Sequence, residues 1–530
     1  LKKRQKIGLN YWKENNYIFI LMKKITSIET LAKTISKLKA IGKKVVLCHG
    51  VFDLLHIGHI NHFKEAKNLG DILIVTVTQD KYVNKGPNRP IFPLNTRMES
   101  IAALKDVDYV APNMFPNAIR LIKKLKPDIY CKGKDYKNYN SDATNQIKKE
   151  ASAIKSVGGK IIHTITELFS SSKIINQSNL NISNEQKSFI NKIKKRKEFN
   201  ADNKILSIMN SFSKIKVLVI GETIIDEYVY CEALGKSGKE PVLVMRDMYK
   251  ERYLGGTAAI AKNLSSFCNK ITLLTNIGQK SEEKQFIKNN LQKNINTVFL
   301  NKKKSPTITK KRFIEHINKT KIFGVYSLND QPLDPEQEKI FNEKVLKYIN
   351  SHDLVIVSDY GHGLISDNTA KLIVKKSKFV AVNTQLNSSN LGFHVISKYL
   401  GANLITINET EMRHELRNKT DDRVSLIKSL SKKLKSNFTH VTSGVVGSTI
   451  YNSSTKEIIS CPAFANKVTD KVGTGDSMLA MLAICLYKKF DIKFCMFLSA
   501  LVAAHNIQYM ANKTSFNKID ITRAVQSYLK

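Results

Sequence analysis

Two short segments, far apart in the chain, each carry glycines into the start of a helix, and they limit its fold more than anything else in it. The first follows the apolar run 45–47 and reads His49-Gly50-Val51-Phe52-Asp53-Leu54-Leu55-His56-Ile57-Gly58-His59. The second reads Asp470-Lys471-Val472-Gly473-Thr474-Gly475-Asp476-Ser477. Glycine lets a backbone approach a phosphate, and a helix N-terminus supplies N–H groups and partial positive charge. Such turns belong at the carboxyl ends of strands in open α/β sheets. At 530 residues the chain is too long for one core, so two or three domains are expected.

The rest of the chain agrees with that frame. Residues 27–41 have helical spacing with Ser27 placed as N-cap. Apolar runs at 44–48, 72–78, 108–111, 128–131 and 160–164 predict strands, and the stretches 59–69, 95–104 and 116–125 predict helices between them. That rhythm predicts a doubly wound parallel sheet. A polar stretch follows, and Lys216-Val217-Leu218-Val219-Ile220-Gly221 opens a second alternating region. The expected organisation is an extension at 1–26, with Met22 a natural beginning, a first α/β domain at 27–176, a linker with one or two charged helices at 177–213, and a second α/β domain at 214–530.

Charge excludes less than its size implies. The net charge is +40, but the cations are mostly lysines spread along the whole chain rather than arginines and aromatics gathered in a stripe. No nucleic-acid partner is expected; a positive field steers anionic small molecules. The seven cysteines are odd in number, scattered and without a Cys-x-x-Cys pair, so neither a disulfide framework nor a zinc site is expected, and a reducing cytoplasm fits. The apolar patch at 17–22 is too short to span a bilayer, and no membrane association is expected.

In the first segment His56 and His59, three residues apart, share one face of the first helical turn, and Gly58 between them leaves room for a triphosphate. Donors placed there stabilise the charge that builds on an α-phosphate under attack. A His-x-x-His pair alone is a weak signal, as is Ser170-Ser171-Ser172, which by itself reads as a helix cap. Several segments in order resemble the cytidylyltransferase-like family, which includes the adenylyltransferase half of bifunctional heptose kinase/adenylyltransferases. They are the strand, Gly50, Phe52, Asp53 and the two histidines; the stretch from Asn88 to Arg97; Lys132-Gly133-Lys134-Asp135-Tyr136; and Phe169-Ser170-Ser171-Ser172-Lys173-Ile174-Ile175. The resemblance covers most of 43–175. It implies nucleotidyl transfer, with His56, His59 and Lys132 catalytic and Gly50, Phe52, Asp53, Gly58, Arg97, Ser171 and Ser172 on the nucleotide.

In the second segment Gly473 and Gly475 free the backbone at a predicted helix start, and a resemblance to the ribokinase (PfkB) family implies an anion hole at Gly473, Thr474 and Gly475 with Asp476 as the base that takes a hydroxyl proton. Gly-Thr-Gly-Asp alone is more often a turn. The surrounding region, roughly 214–528, resembles the ribokinase (PfkB) family. The matching pieces are 221–226, ending in Asp226; Gly255-Gly256-Thr257-Ala258-Ala259 through Asn263; Pro306-Thr307-Ile308-Thr309-Lys310 with Arg312; Ser358-Asp359-Tyr360-Gly361; Asn408-Glu409-Thr410-Glu411; and Thr442-Ser443-Gly444. This resemblance implies sugar contacts from Asp226, Gly255, Gly256 and Asn263, magnesium and phosphate at Asn408 and Glu411, and nucleotide at Thr442 and Gly444. Four departures fall where acceptor contacts are expected: Ala259 for an asparagine, His362 for a lysine, Ser237-Gly238-Lys239-Glu240 for Ser-Pro-Glu-Ala, and Val382-Asn383-Thr384-Gln385 for Asp-Pro-Lys.

Both resemblances together imply a bifunctional enzyme of nucleotide-activated sugar synthesis, with the two domains in the order opposite to that of the well-known heptose enzyme. It would use Mg2+, ATP and a sugar phosphate toward ADP-heptose, and would form a homodimer through the kinase domain. Two alternatives stay open: the same chemistries on another sugar or polyol phosphate with CTP, or one half reduced to a ligand-binding module.

Overall fold

The computed structural model describes residues 24–87, 89–134, 146–165, 182–196, 199, 202–387, 390, 395–465 and 468–529. Ser171 and Ser172, with Asn88, Asp135, Tyr136 and residues 1–23, lie outside the described residues. The chain divides into two compact units: Leu1–Asn184 with Ala201–Asn203 and Thr522–Lys530, and Glu185–Asn200 with Lys204–Ile521. The stretch read as a linker contains helices at Asn184–Lys194 and Asp202–Ser211, and Phe189, Ile190 and Ile193 of the former are buried.

In the first unit α1 (Ile28–Ala40), β1 (Val45–Gly50), α2 (Ile57–Lys67), β2 (Ile72–Thr78), α3 (Leu94–Ala102), β3 (Tyr109–Asn113), α4 (Ile119–Leu125), β4 (Ile129–Lys132), α5 (Gln146–Ser156) and β5 (Lys160–His163) alternate. Among the described residues the sheet is five-stranded and parallel, in the order β3-β2-β1-β4-β5. The chain crosses from β3 to β4 on the other side of β1, so the strand order reverses between β1 and β4, where a ligand crevice is expected. Alternate residues serve opposite faces. Val46 and Cys48 pack with Phe63 and Met98 on one face, while Val45 and Leu47 pack with Leu31 and Leu121 on the other. Ser27 caps α1 by accepting from the Thr30 N–H, as its position predicts.

The second unit is also α/β. Its main sheet is built from β6 (Lys216–Gly221), β9 (Lys270–Gly278), β10 (Ile295–Lys302), β13 (Leu354–Asp359), β14 (Val380–Thr384), β15 (Leu404–Asn408), β16 (Phe438–Thr442), β17 (Ser448–Asn452) and β18 (Ile458–Cys461). The order is β10-β9-β6-β13-β14-β15-β16-β17-β18, parallel as far as β16 and antiparallel beyond. A smaller sheet, β12-β11-β7-β8, comprises β7 (Thr223–Lys236), β8 (Leu243–Gly255), β11 (Thr309–Glu315) and β12 (Lys321–Ser327). The helix α6 (Gly256–Leu264) follows β8, α7 (Glu409–Leu416) follows β15, and α8 (Thr474–Tyr487) is buried along nearly its whole length. Among the described residues no helix is long and apolar enough to cross a membrane.

Candidate functional site

In the first unit the loop after β1 sets the site. Phe52 has φ +54, and its ring lies so close over Gly50 that a Cβ there would meet the ring at 2.8 Å. The ring then meets His59 edge-on, with centroids 5.3 Å apart, so Gly50 and Phe52 shape the wall against which the histidine rests. His56 caps α2: its Nδ1 accepts from the Gly58 N–H at 3.1 Å, which leaves the ring hydrogen on Nε2. The His56 and His59 rings stack with centroids 3.9 Å apart. Burial, with the neighbouring His56 ring and the Lys85 ammonium, pushes His59 down to about 3. Burial and Lys85 also lower His56. Both imidazoles are therefore neutral at ordinary pH and present N–H donors rather than charges. Among the described residues the buried Nδ1 of His59 has no hydrogen-bond partner.

The other residues expected here divide by where their polar groups go. Asp53 is buried, and its two carboxylate oxygens accept from the N–H groups of Ile91 and Phe92 at 2.8 and 3.1 Å. Arg97, expected on the nucleotide, is 2% exposed and donates to the carbonyls of Phe92, Val51 and Thr78 while pairing with Asp80 at 2.5 Å. In this geometry both residues tie the loop after the second strand to the loop after the first. Lys132 ends β4, buried, 3.3 Å from Glu150 of α5. Burial opposes ionisation of Glu150, but Lys132 and His49 hold its carboxyl below the usual range. Glu150 went unnoticed in the sequence because it reads as one more polar position on an amphipathic helix.

In the second unit Asp476 lies in the first turn of α8, whose N-cap Gly473 has φ +77. A Cβ on Gly473 would overlap the side-chain amide of Asn512. Asp476 is 3% exposed; Oδ2 accepts from the Tyr360 hydroxyl at 2.7 Å and Oδ1 from Ser358 at 3.2 Å. Burial pushes its carboxyl up to about 6 against those two donors, with Asp226 adding to the push and Lys310 opposing it. Thr474 Oγ1 and Asn383 Oδ1 are buried without hydrogen-bond partners among the described residues, and Asn383 stands beside Gly475. Unpartnered buried groups next to a helix N-terminus make a cradle for an anion and a hydroxyl-bearing ligand.

The smaller sheet brings cations to this place. Lys310 is buried, with its ammonium 5.5 Å from the Tyr360 ring centroid, and Arg312 pairs with Asp226 at 2.5 Å. Gly255 is required beside Asp226, because a Cβ would overlap its carboxylate, and Gly256 at φ +58 has the Glu222 carbonyl in the same place. Asn263 is buried and donates to Ser477 at 3.2 Å, so it braces α6 against α8. His362, where a lysine was expected, is 1% exposed with Nδ1 2.6 Å from Asp330. Asn408 and Glu411 form a capping box at the start of α7: Asn408 accepts from the Glu411 N–H, and Glu411 from Asn408 and Leu386. Burial raises Glu411, the Asp476 carboxylate contributes, and each of its oxygens keeps a lone pair. Thr442 ends β16, and Gly444 is exposed at φ +59, with open space where a Cβ would stand.

Residues 214–519 match the pfkB family carbohydrate kinase model, and that is more than half of the chain. The chain belongs to the pfkB family of carbohydrate kinases, with a second, cytidylyltransferase-like match at residues 47–177 preceding the kinase region. It is 30% identical over 286 residues to the bifunctional protein HldE of Campylobacter jejuni, a match covering 53% of this chain and 59% of that one. It is 44% identical over 140 residues to the bifunctional protein HldE of Nitrosococcus oceani, covering 26% and 28%. Among solved structures, phosphofructokinase-2 from Escherichia coli aligns with a TM-score of 0.49 at 12% identity, covering 60% of this chain and 99% of that one.

Proposed function

We propose that this chain makes a nucleotide-activated sugar with two separate sites: an ATP-dependent sugar phosphate kinase in the second unit and a sugar 1-phosphate nucleotidyltransferase in the first, working toward ADP-heptose. The observation that carries the kinase reading is Asp476, its carboxyl raised by burial, held by Tyr360 and Ser358, and flanked by Lys310. A carboxyl near 6 is poised to accept a hydroxyl proton at neutral pH. The acceptor oxygen attacks the γ-phosphorus of ATP, its proton passes to Asp476, and the bond to the bridging oxygen breaks to release ADP. N–H groups at the start of α8 face the transferred phosphoryl. Lys310 and Arg312 give the acceptor side a positive wall, which supports an acceptor that already carries phosphate.

Mg2+ would neutralise the triphosphate charge. Glu411, with both oxygens already accepting from backbone N–H groups, fits a role holding metal-bound water with Asn408 beside it. In the first unit the sugar 1-phosphate oxygen attacks the α-phosphorus and pyrophosphate leaves. Neutral His56 and His59 donate to the developing charge, and Lys132, oriented by Glu150, adds a cation. Gly50, Phe52, Asp53, Gly58 and Arg97 shape and hold the loop that receives the nucleotide. A second reading is another sugar or polyol phosphate with CTP as donor; its change of acceptor is favoured by His362, a buried imidazole bound to Asp330 where a lysine was expected.

Exposed Leu243, Val244, Phe323 and Val325 on the smaller sheet support a homodimer through the kinase unit, and seven buried free thiols support a cytoplasmic setting. The test is pyrophosphate release by purified protein with heptose 1-phosphate, Mg2+ and each nucleoside triphosphate in turn. Release with ATP alone supports ADP-heptose; release with CTP alone supports the second reading; silence with all of them removes heptose 1-phosphate as substrate.

A further inference from the structure

The cysteines look scattered along the sequence, but the fold brings two of them together. β1 and β4 are parallel neighbours with Cys48 opposite Cys131, so both side chains leave the same face of the sheet, where both are fully buried. Of the helices packed on that face, α2 carries His62 one turn beyond His59. One ligand atom from each of Cys48, His62 and Cys131 lies within 4.8 Å of the other two. The imidazole is also aimed. His62 Nδ1 is 3.0 Å from Thr164 Oγ1, and that hydroxyl donates in turn to the Lys132 carbonyl at 3.4 Å. A hydroxyl that donates elsewhere must accept from Nδ1, so Nδ1 carries the hydrogen and Nε2 the lone pair. A ring nitrogen fixed through a hydrogen bond to its opposite nitrogen is the outer support that metal-bound histidines use.

We propose that Cys48, His62 and Cys131 form a binding site for a single thiophilic cation, with Zn2+ as its principal occupant. Two thiols and an imidazole select zinc over the oxygen-seeking Mg2+ of the triphosphate chemistry. Bond lengths of about 2.0–2.3 Å put tetrahedral ligands roughly 3.5–3.8 Å apart, so side-chain rotation must draw the three groups in by about an ångström. Binding replaces two S–H bonds with two metal–thiolate bonds and releases two protons to solvent. Two thiolates cancel the charge of Zn2+, so the neighbouring Lys132 ammonium faces a neutral centre. The occupied site ties the helix that begins at His56 and carries His59 to the two central strands.

The test uses the full chain, stripped by a chelator, kept reduced and confirmed folded by circular dichroism. It is titrated with Zn2+ against a chromophoric chelator and, separately, with Co2+. The expected result is saturation at one Zn2+ per chain, a thiolate-to-cobalt charge-transfer band in the near ultraviolet, and a rise in Tm with added Zn2+. Cys48→Ser and Cys131→Ser should abolish the band, and Thr164→Val should weaken binding by about 10- to 100-fold. Should the cysteine variants not fold, His62→Gln, at a half-buried position, decides: loss of stoichiometric binding supports the site. No saturable binding by the folded wild-type chain overturns the proposal, as does binding of unchanged affinity in His62→Gln.

Discussion

The Tyr360 hydroxyl donates to Asp476 Oδ2 at 2.7 Å, joining two residues 116 positions apart at the heart of the second unit. Tyr360 follows the end of β13, and its own N–H donates to Glu222 at 3.0 Å. A residue anchored at its backbone thus fixes the carboxylate proposed to take the proton, and its hydroxyl favours the ionised form.

The kinase rate should follow that ionisation. Asp476 acts as a base only when deprotonated, so activity should fall as pH drops through about 6. Tyr360→Phe removes a donor to the carboxylate, which raises its pKa. A hydrogen bond to a charged group contributes about 1.5–3 kcal/mol, so the acid limb of the pH–rate profile should move up by about 1–2 units. A profile that stays in place would show that Tyr360 does not act on the base.

Lys310→Met should separate phosphorylated from plain acceptors. If the buried ammonium meets an acceptor phosphate, kcat/KM for the sugar phosphate should fall by about 10- to 100-fold, mostly through KM. The same ratio for an unphosphorylated analogue should change much less. Equal losses on both acceptors would place Lys310 at the transferred phosphoryl instead.

Arg97→Met tests the claim that this side chain holds the fold of the loops rather than the nucleotide. Its loss takes a charged donor from the half-buried carbonyl of Val51 and the buried carbonyl of Thr78, at a cost of about 1–3 kcal/mol at the buried one. Expected outcomes are a lower midpoint for the first unit's unfolding, weak pyrophosphate release, and kinase activity near that of the parent. Undiminished stability with a raised KM for the nucleotide would return Arg97 to the binding site.

Much of this architecture is legible in the amino-acid order, and the parts that are not have a common cause. Apolar runs mark the strands of the first unit to within a few residues, and in β1, β2 and β4 burial on both faces leaves little choice of residue. The His56 cap and the Gly473 turn are likewise local, and their chemistry is written in consecutive residues. The partners of these groups are not local. Tyr360 with Asp476, Glu150 with Lys132, and Cys48 with Cys131 meet only because strands distant in sequence are neighbours in the sheet or because a helix folds back on it. The acceptors of Arg97 are equally non-local: from α3 it donates to carbonyls of the loops that follow β1 and β2, which sequence alone does not show. The smaller sheet was missed because β8 and β12 are largely exposed on both faces and lack a clean alternation.

Gly50→Ala probes the wall behind the histidines. The added Cβ would press on the Phe52 ring at 2.8 Å and move it off His59. Pyrophosphate release should fall by more than about tenfold, given how sensitive in-line transfer is to small misplacements, while phosphoryl transfer continues. Unchanged pyrophosphate release would show that the ring does not set the histidine's position.

The most direct test of two independent sites on one chain is a reciprocal assay of His59→Ala and Asp476→Asn, each measured for pyrophosphate release and for ADP formation under the same conditions. His59→Ala should lose pyrophosphate release and keep ADP formation, and Asp476→Asn should do the reverse. Loss of both activities in either variant, with the protein still folded, would contradict the account.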